Sequence, residues 1–322
     1  MQRFTIKRVI SSTKYFSIIG VLALILTSCA APRTIIDSGK VTPKNQIKVG
    51  GNYAGNIPIL TIRNSAEVVK KAVQYVNSND VNTFTEEVSQ SSVYDERYRL
   101  LNKYALSYFL DPFMVGYNCY VRYGIIKKVD IGYQYSIGTH AFDAKYQFLG
   151  TTGAIGTGEK NKNVYGSVGL QYSSREFSLP FGLDKIQNRI GLEFKRKDFF
   201  VPVIFSRSFG PEEKTGHFSW GLAYNHTFLQ YGFKPKDIIS ENTSLNFPNA
   251  SYKKNFASIG TFVNVKVGYK FVYFLAAFSM YYQNYGNFTL LDGSSVNLSG
   301  FTYVPSIGLQ IVIPPIKKRK KE

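Results

Sequence analysis

The longest regular pattern in the sequence is an alternation of apolar and polar residues that begins after Pro112. In residues 113–125 the odd positions read Phe, Val, Tyr, Cys, Val, Tyr and Ile, whereas the even positions include Asn, Arg and two glycines. A period of two sustained over about the length of a tilted bilayer crossing predicts a β-strand with one apolar face. Cys119 belongs to that apolar face, so we expect it to be a buried or lipid-facing filler and not a nucleophile.

The same alternation recurs along the rest of the chain and predicts about ten strands in sequence order. The further strands fall at about 129–137, 143–149, 164–173, 189–196, 199–206, 218–228, 256–270, 272–283 and 301–313. Tight turns are predicted at Lys127-Lys128, at Lys197-Asp198 and near Phe271. These turns do not all fall on one side of the sheet, which indicates a missed strand between 207 and 254, for example at 244–247. An extra strand before Phe113 would bring both chain ends to one side.

The predicted fold is therefore all-β: an antiparallel up-and-down transmembrane β-barrel of about 10–12 strands, with eight possible. A soluble barrel with an apolar interior would alternate in the same way. The choice depends on the faces opposite the apolar rows, which carry Arg122, Asp130, Asp143, Lys145, Arg189, Glu193, Lys266 and Lys270. Because those faces mix charge with glycine and the apolar rows are rich in aromatics, a polar lumen inside a lipid-facing wall is favoured. The pattern over 113–314 resembles small outer-membrane β-barrels of Gram-negative bacteria.

The first residues have a different character. A basic start and a short apolar run end at Leu26, Thr27, Ser28 and Cys29. This order resembles a bacterial lipoprotein signal peptide, which implies cleavage before Cys29 and acyl lipid on its thiol and new amino terminus. A membrane-spanning helix is the alternative, but the run is shorter than the roughly 20 residues that cross a bilayer. By resemblance to sorting signals, Ala30 and Ala31 imply the outer membrane, with the acyl chains in its inner leaflet and no support for surface display.

Four regions follow from these patterns: a signal peptide at 1–28, a lipidated tether with a partly helical segment at 29–111, the barrel at 112–314 and a basic tail at 315–322. Within the tether, Ile47, Val49 and Tyr53 allow a short strand. Ser65 is a candidate helix cap, and 95–108 allows either a helix or a strand. The N-terminal segment and the tail are both expected in the periplasm.

Charge and cysteine content limit the chemistry. The formal net charge is +18, and an exported protein meets no nucleic acid, so anionic lipid or an anionic polymer is the expected partner. The tail residues Lys317, Lys318, Arg319, Lys320 and Lys321 form either a solvated end or a contact with acidic groups. With Cys29 acylated, Cys119 stands alone, and the three histidines are far apart. No metal site and no cofactor other than the acyl lipid are expected.

Catalytic motifs are not apparent. The glycines of 153–158 have phosphate-loop spacing, but Glu159 replaces the lysine that such a loop needs. Pairs such as Arg122 with Asp130 are expected to be structural ion pairs in the lumen. The sequence favours a non-enzymatic accessory or structural subunit of an outer-membrane protein complex, in contact with outer-membrane lipids and other envelope proteins. A small porin-like channel and a lipid-modifying enzyme with a site at the barrel rim are the alternatives.

Overall fold

The computed structural model describes residues 33–77, 103–104, 106–108, 110–136, 138–153, 164–176, 192–233, 250–269, 271–289 and 295–314. Ten strands account for most of them: β1 (Ile47–Pro58), β2 (Met114–Ile126), β3 (Val129–Ser136), β4 (Thr139–Leu149), β5 (Val164–Glu176), β6 (Leu192–Phe209), β7 (Gly216–Phe233), β8 (Ala250–Tyr269), β9 (Val272–Thr289) and β10 (Ser295–Ile313). Each strand pairs antiparallel with the next, and β1 also pairs with β10, which closes the barrel. The predicted up-and-down barrel is confirmed.

The short strand allowed at Ile47, Val49 and Tyr53 is confirmed as part of β1. Two other assignments are wrong. β1 belongs to the barrel and not to a tether, so the barrel begins well before residue 112. β6 runs unbroken through Lys197 and Asp198, where a turn was predicted, because Arg196 and Asp198 point into the barrel while Lys197 points out. The two differences cancel in the strand count. The further strand suggested at 244–247 falls outside the described residues.

The two faces of the barrel wall have opposite character. Large apolar side chains cover the exterior, and Leu222 and Ile259 there are 63% and 64% exposed. Inside, the side chains of Arg122 and Lys266 are only 12% and 1% exposed. A closed barrel with an apolar exterior and a charged interior is stable only when hydrocarbon surrounds it. The fold is therefore that of a membrane-spanning β-barrel.

The two ends of the barrel differ. One end, here the short-turn end, carries the turns at 127–128 and 210–215, the reversal between Tyr269 and Val272, and the longer connection 150–163, together with Ile47 and Ile313, the outer ends of β1 and β10. The other, here the long-connection end, carries the connections 59–113, 177–191 and 234–249 and the short connections 137–138 and 290–294. Strands β6 to β10 have 18 to 20 residues each. That exceeds the roughly 9–11 residues of a bilayer crossing, so these strands extend beyond the hydrocarbon.

Helical structure lies at the long-connection end. Helix α1 (Ile59–Asn77) follows β1 directly, and residues 103–104, 106–108 and 110 are also helical. Ser65 lies inside α1, where its hydroxyl donates to the carbonyl of Ile62, and so it is not the predicted cap. Leu60 and Leu110 pack in a buried cluster completed by Leu229, Phe256, Tyr285, Phe288 and Leu298. Among the helices of the described residues, none combines the length and hydropathy needed to cross a bilayer.

Candidate functional site in the barrel lumen

The interior of the barrel holds a stretch of the chain itself. Residues 33–46, here the lumen segment, run without regular secondary structure from the half of the barrel near the long-connection end to the short-turn end. At the start, the Arg33 carbonyl accepts a 2.5 Å hydrogen bond from the Tyr281 hydroxyl. At the end, the Asn45 amide donates to the Gly124 carbonyl at 2.9 Å. Eight strands enclose an interior that side chains alone can fill, so a ten-stranded wall leaves room for this segment.

Side chains of the wall bind the backbone of the lumen segment. A buried chain outside a sheet must find partners for its amides and carbonyls. Those partners come from four strands. Asn264 of β8 donates to the carbonyls of Ile35 and Asp37 at 3.1 and 3.0 Å. Three wall side chains accept from backbone amides of the segment: Ser206 of β6 from Gly39 at 3.0 Å, Gln147 of β4 from Val41 at 3.0 Å, and Asp130 of β3 from Thr42 at 2.6 Å. The segment is therefore held in one register along the lumen.

Asp37 is the centre of the first of three charge clusters, here the middle cluster. Its carboxylate lies 3.2 Å from Arg122 Nε and 3.7 Å from Lys48 Nζ, and it also pairs with Lys145. Arg122 contacts two further carboxylates, Asp130 and Asp143. Three carboxylates thus face three cations, and the cluster is electrically neutral.

The lower cluster lies at the short-turn end. Lys40 of the lumen segment pairs with Glu212 at 2.7 Å, and Lys266 of β8 pairs with the neighbouring Glu213 at 2.9 Å. His217 Nδ1 lies 3.3 Å from Glu213. Burial favours the neutral acid and would raise the pKa of Glu213, but Lys266 and His217 outweigh it and hold that pKa well below its ordinary value.

The upper cluster lies toward the long-connection end. Arg33 pairs with Asp111 at 3.4 Å, and Asp111 also accepts hydrogen bonds from Tyr285 and Thr302. Next to this pair, the Arg196 guanidinium donates hydrogen bonds to both carboxylate oxygens of Asp198 at 2.8 and 2.9 Å. The four charged side chains of the upper cluster are each at least nine-tenths buried, and such charges persist only when paired.

The charges of the lumen segment complement those that surround it at all three levels. Without Asp37 the middle cluster would keep an excess positive charge. Without Lys40 the lower cluster would keep an excess negative charge, and the upper cluster would do so without Arg33. From the upper through the middle to the lower cluster, the segment thus contributes a positive, a negative and a positive charge. At each level the surrounding residues carry a net charge of the opposite sign. This match indicates a resident part of the fold and not a strand that happens to lie in a pore.

Two glycines allow the closest approaches between segment and wall. A Cβ on Gly39 would lie 2.6 Å from the Tyr165 carbonyl oxygen, and one on Gly124 would lie 2.1 Å from the Pro43 carbonyl oxygen. Backbone atoms cannot yield as flexible side chains do, so both positions require glycine.

A cavity of about 80 Å³ lies between the segment and the wall. It is lined by Ile35, Asp37, Arg122, Gln171 and Phe200 among others. Such a volume has room for ordered water molecules. The described part of the lumen therefore binds its own segment along its length and leaves a small hydrated space beside it.

The structure brings together most of the lumen charges named from the sequence. Arg122, Asp130, Asp143 and Lys145 meet in the middle cluster, and Lys266 lies in the lower one. Glu193 falls in β6, but its side chain lies outside the described set, as do Arg189, Lys270, Lys317–Lys321 and the segment from Leu26 to Cys29. Cys119 lies on the exposed outer face of β2.

Sequence reasoning missed Arg33, Asp37 and Lys40, which it assigned to a free tether. Their stretch has no period of two or 3.6, and isolated charges are as common in a solvated linker as in a lumen. The one usable signal was indirect: a ten-stranded barrel needs more filling than its own inward side chains supply. Arg33 and Ile313 lie at different levels of the barrel, with Ile313 at the short-turn end and Arg33 toward the other. The expectation that the N-terminal segment and the tail both lie in the periplasm stays a prediction.

The closed ladder, the apolar exterior and the occupied polar interior define the class of protein: a membrane-spanning β-barrel of the outer-membrane type with an internal plug. No protein-family model matches the sequence, and no curated protein matches it.

Among solved structures, the chain is similar to three proteins of Gram-negative bacteria. The attachment invasion locus protein Ail of Yersinia pestis has 8% identity and a TM-score of 0.30, and the match covers 84% of this chain and 99% of that chain. The outer membrane protein OprG of Pseudomonas aeruginosa has 9% identity and a TM-score of 0.31, with 86% and 99% covered. The outer membrane protease OmpT of Escherichia coli has 9% identity and a TM-score of 0.35, with 88% and 100% covered. At these scores the similarity supports no inference about function, and the class assigned here rests on the ladder and the two faces of the wall.

Proposed function

We propose that this chain is a lipidated outer-membrane barrel that does not conduct solutes and acts as a non-enzymatic accessory or structural subunit of an envelope protein complex. The observation that carries the proposal is the charge-neutral lumen. The chain's own segment runs through it, and the charges of that segment are paired in three clusters that fix it in place. A protein selected for transport would keep a path open or hold its plug by contacts that are easily broken.

The outer half of the molecule offers the surface for such a role. Strands β6 to β10 continue past the bilayer at the long-connection end, and α1 begins there. By the usual arrangement of bacterial barrels, short turns face the periplasm and long connections face the exterior. The proposed complex is therefore assembled through the connections 59–113, 177–191 and 234–249, together with the lipid-facing wall.

Two measurements test the proposal. Purified wild-type protein in planar bilayers is expected to show no single-channel steps, whereas a channel would show them at once. Affinity purification of the full chain from gently solubilised envelopes, followed by mass spectrometry, is expected to recover the same envelope proteins in stoichiometric amounts. Steps of stable conductance would overturn the closed lumen, and a protein that migrates alone would overturn the accessory role.

A further inference from the structure

We propose that the outer face of the barrel carries a binding site for a glycolipid headgroup that bears two phosphates. The site consists of Lys195 and Lys197 on β6 and Lys253 on β8, here the basic patch. It lies at the long-connection end, which faces the outer leaflet by the usual arrangement of bacterial barrels. The inference uses the outer wall alone, so it does not depend on the proposed accessory role.

The position of the basic patch relative to the bilayer follows from strand β6. Arg207 and Lys197 both point outward from this strand, ten positions apart. The outward residues between them are all apolar: Phe199, Val201, Val203 and Phe205. At roughly 3.3 Å per residue and a tilt of about 40°, ten residues rise about 25 Å along the barrel axis, which matches the apolar band of such barrels. The hydrocarbon therefore ends at Lys197, and the lipid headgroups begin there.

An aromatic row lies directly beneath the basic patch. Phe199 is the next outward residue below Lys197 on β6. The Phe199 ring contacts those of Tyr172 on β5 and Phe228 on β7, with centroids 5.2 and 6.0 Å away, and His226 packs against Phe228 at 4.7 Å. Aromatic girdles mark the boundary between hydrocarbon and headgroups in such barrels. Lysine stems cross that boundary while their ammonium groups stay in the polar layer, so both features place the patch among headgroups.

The three lysines lie close enough together to contact one headgroup. Lys195 and Lys253 flank Gln230 of β7 in a cross-strand row, so their Cα atoms are two strand spacings, or about 10 Å, apart. Lys197 lies two residues below Lys195, at about 7 Å. All three lysine side chains are exposed. This spacing suits a disaccharide headgroup with a phosphate at each end, since each phosphate can accept charge-assisted hydrogen bonds from an ammonium group.

Positive charge on the outer face is concentrated in the basic patch. Among the described outward-facing residues of the ten strands, the lysines and arginines are Lys195, Lys197, Lys253 and Arg207, and Arg207 lies at the short-turn end. The described acid beside the patch is Glu176, which pairs with Lys195 at 2.9 Å. These two side chains are 73% and 50% exposed, and exposed ion pairs contribute little to stability. A lipid phosphate can therefore replace the Glu176 carboxylate as the partner of Lys195.

Titration of the purified full chain in zwitterionic micelles with diphosphoryl lipid A tests the inference, with bound lipid counted by native mass spectrometry. The patch variant carries three substitutions: Lys195→Gln, Lys197→Gln and Lys253→Gln. We expect it to bind about fivefold more weakly for each lysine lost, or on the order of a hundredfold in total. The control variant removes three exposed cations at the short-turn end: Lys127→Gln, Arg207→Gln and Lys214→Gln. It is expected to bind as wild type does, and heat-dependent gel mobility checks that both variants are folded.

Two further measurements need no triple variant. Glu176→Gln removes the carboxylate that competes with phosphate for Lys195, so it is expected to bind diphosphoryl lipid A about twofold to fivefold more tightly than wild type. Wild type is expected to bind dephosphorylated lipid A far more weakly than the diphosphoryl form. The inference is overturned if the patch variant binds as wild type does, if the control variant loses as much as the patch variant, or if removal of the phosphates leaves binding unchanged.

Discussion

Replacing Asp37 with asparagine tests whether the lumen segment is held by charge. The substitution keeps the side-chain shape and removes one of the three carboxylates that face Lys48, Arg122 and Lys145. An uncompensated charge would remain in a site where Lys48 and Lys145 are each only 2% exposed. Removing one partner of a buried ion pair typically costs about 3–5 kcal/mol. Because the Asp37 side chain is 19% exposed, we expect the lower end, about 3 kcal/mol or roughly a hundredfold in the unfolding equilibrium.

The measurement can use the protein's single tryptophan. Trp220 lies on the outer face of β7 and is 39% exposed there, so it meets lipid when the barrel is folded and water when it is not. Urea titration in liposomes, followed by the red shift of its fluorescence, gives the free energy of unfolding. Glu176→Gln is the matched control, since it breaks a 2.9 Å pair with Lys195 whose members are 73% and 50% exposed. The control is expected to change stability by less than about 0.5 kcal/mol.

A second substitution distinguishes two causes of the expected loss of stability: the lost attraction between Asp37 and its partners, and the burial of an unpaired positive charge. In Asp37→Asn with Lys145→Gln the middle cluster is neutral again, so the double variant is expected to lose less than the sum of the single losses, by about 1–3 kcal/mol. The reasoning is refuted if Asp37→Asn unfolds at the same urea concentration as wild type and as Glu176→Gln. It is also refuted if the two single losses simply add.

Three further predictions concern packing, acid and lipid. Gly39→Ala is expected to lower the free energy of unfolding by about 1–3 kcal/mol in the same titration, because the added Cβ forces the segment away from the wall. Gly51→Ala is the control, since its added Cβ would have its nearest contact at 3.4 Å. Equal losses in the two variants would contradict the close approach. Since its pKa is lowered, ionised Glu213 stabilises the barrel above its unfolded pKa and loses that effect only as the pH falls through the lower folded value. Glu213→Gln should therefore be less stable than wild type at pH 7, with a gap that closes only in acid well below pH 4.5; a gap already closed at pH 4.5 would contradict the buried pairing. Leu222→Arg, on the exterior, is expected to cost about 2–4 kcal/mol in liposomes, and a neutral result would contradict lipid contact at β7.

The alternation of the strands was predictable because each barrel strand has lipid on one side and a polar lumen on the other. That constraint gave β2 to β5 and β7 to β10 directly. It gave only the start of β1, as a short strand at Ile47, Val49 and Tyr53, and did not show that this strand belongs to the barrel, because Gly50, Gly51 and Gly55 leave too few side chains to sustain a period. It also divided β6, because charged residues in a row at 196–198 look like a turn until it is known that their side chains alternate between lumen and exterior.

The lumen segment was not predictable from its own residues. Its partners lie far away in sequence: Lys145 is separated from Asp37 by 108 positions and Asn264 by 227. Local patterns report secondary structure, and this stretch has none, so only the closed wall shows what Asp37 pairs with. The inward charges Arg122, Asp130, Asp143 and Lys145 were identifiable from the period of two, whereas the segment that neutralises them was not.

The claim at the centre of this account is that residues 33–46 lie inside the barrel. Thiol accessibility tests it directly, because Val41 is fully buried and its amide donates to the Gln147 side chain at 3.0 Å. In a Cys119→Ser background, Val41→Cys is expected to resist an impermeant maleimide in the folded protein and to react after unfolding, whereas Glu176→Cys, at a position 73% exposed, is expected to react in both states. A Val41→Cys thiol that reacts in the folded protein as fast as Glu176→Cys would contradict the account.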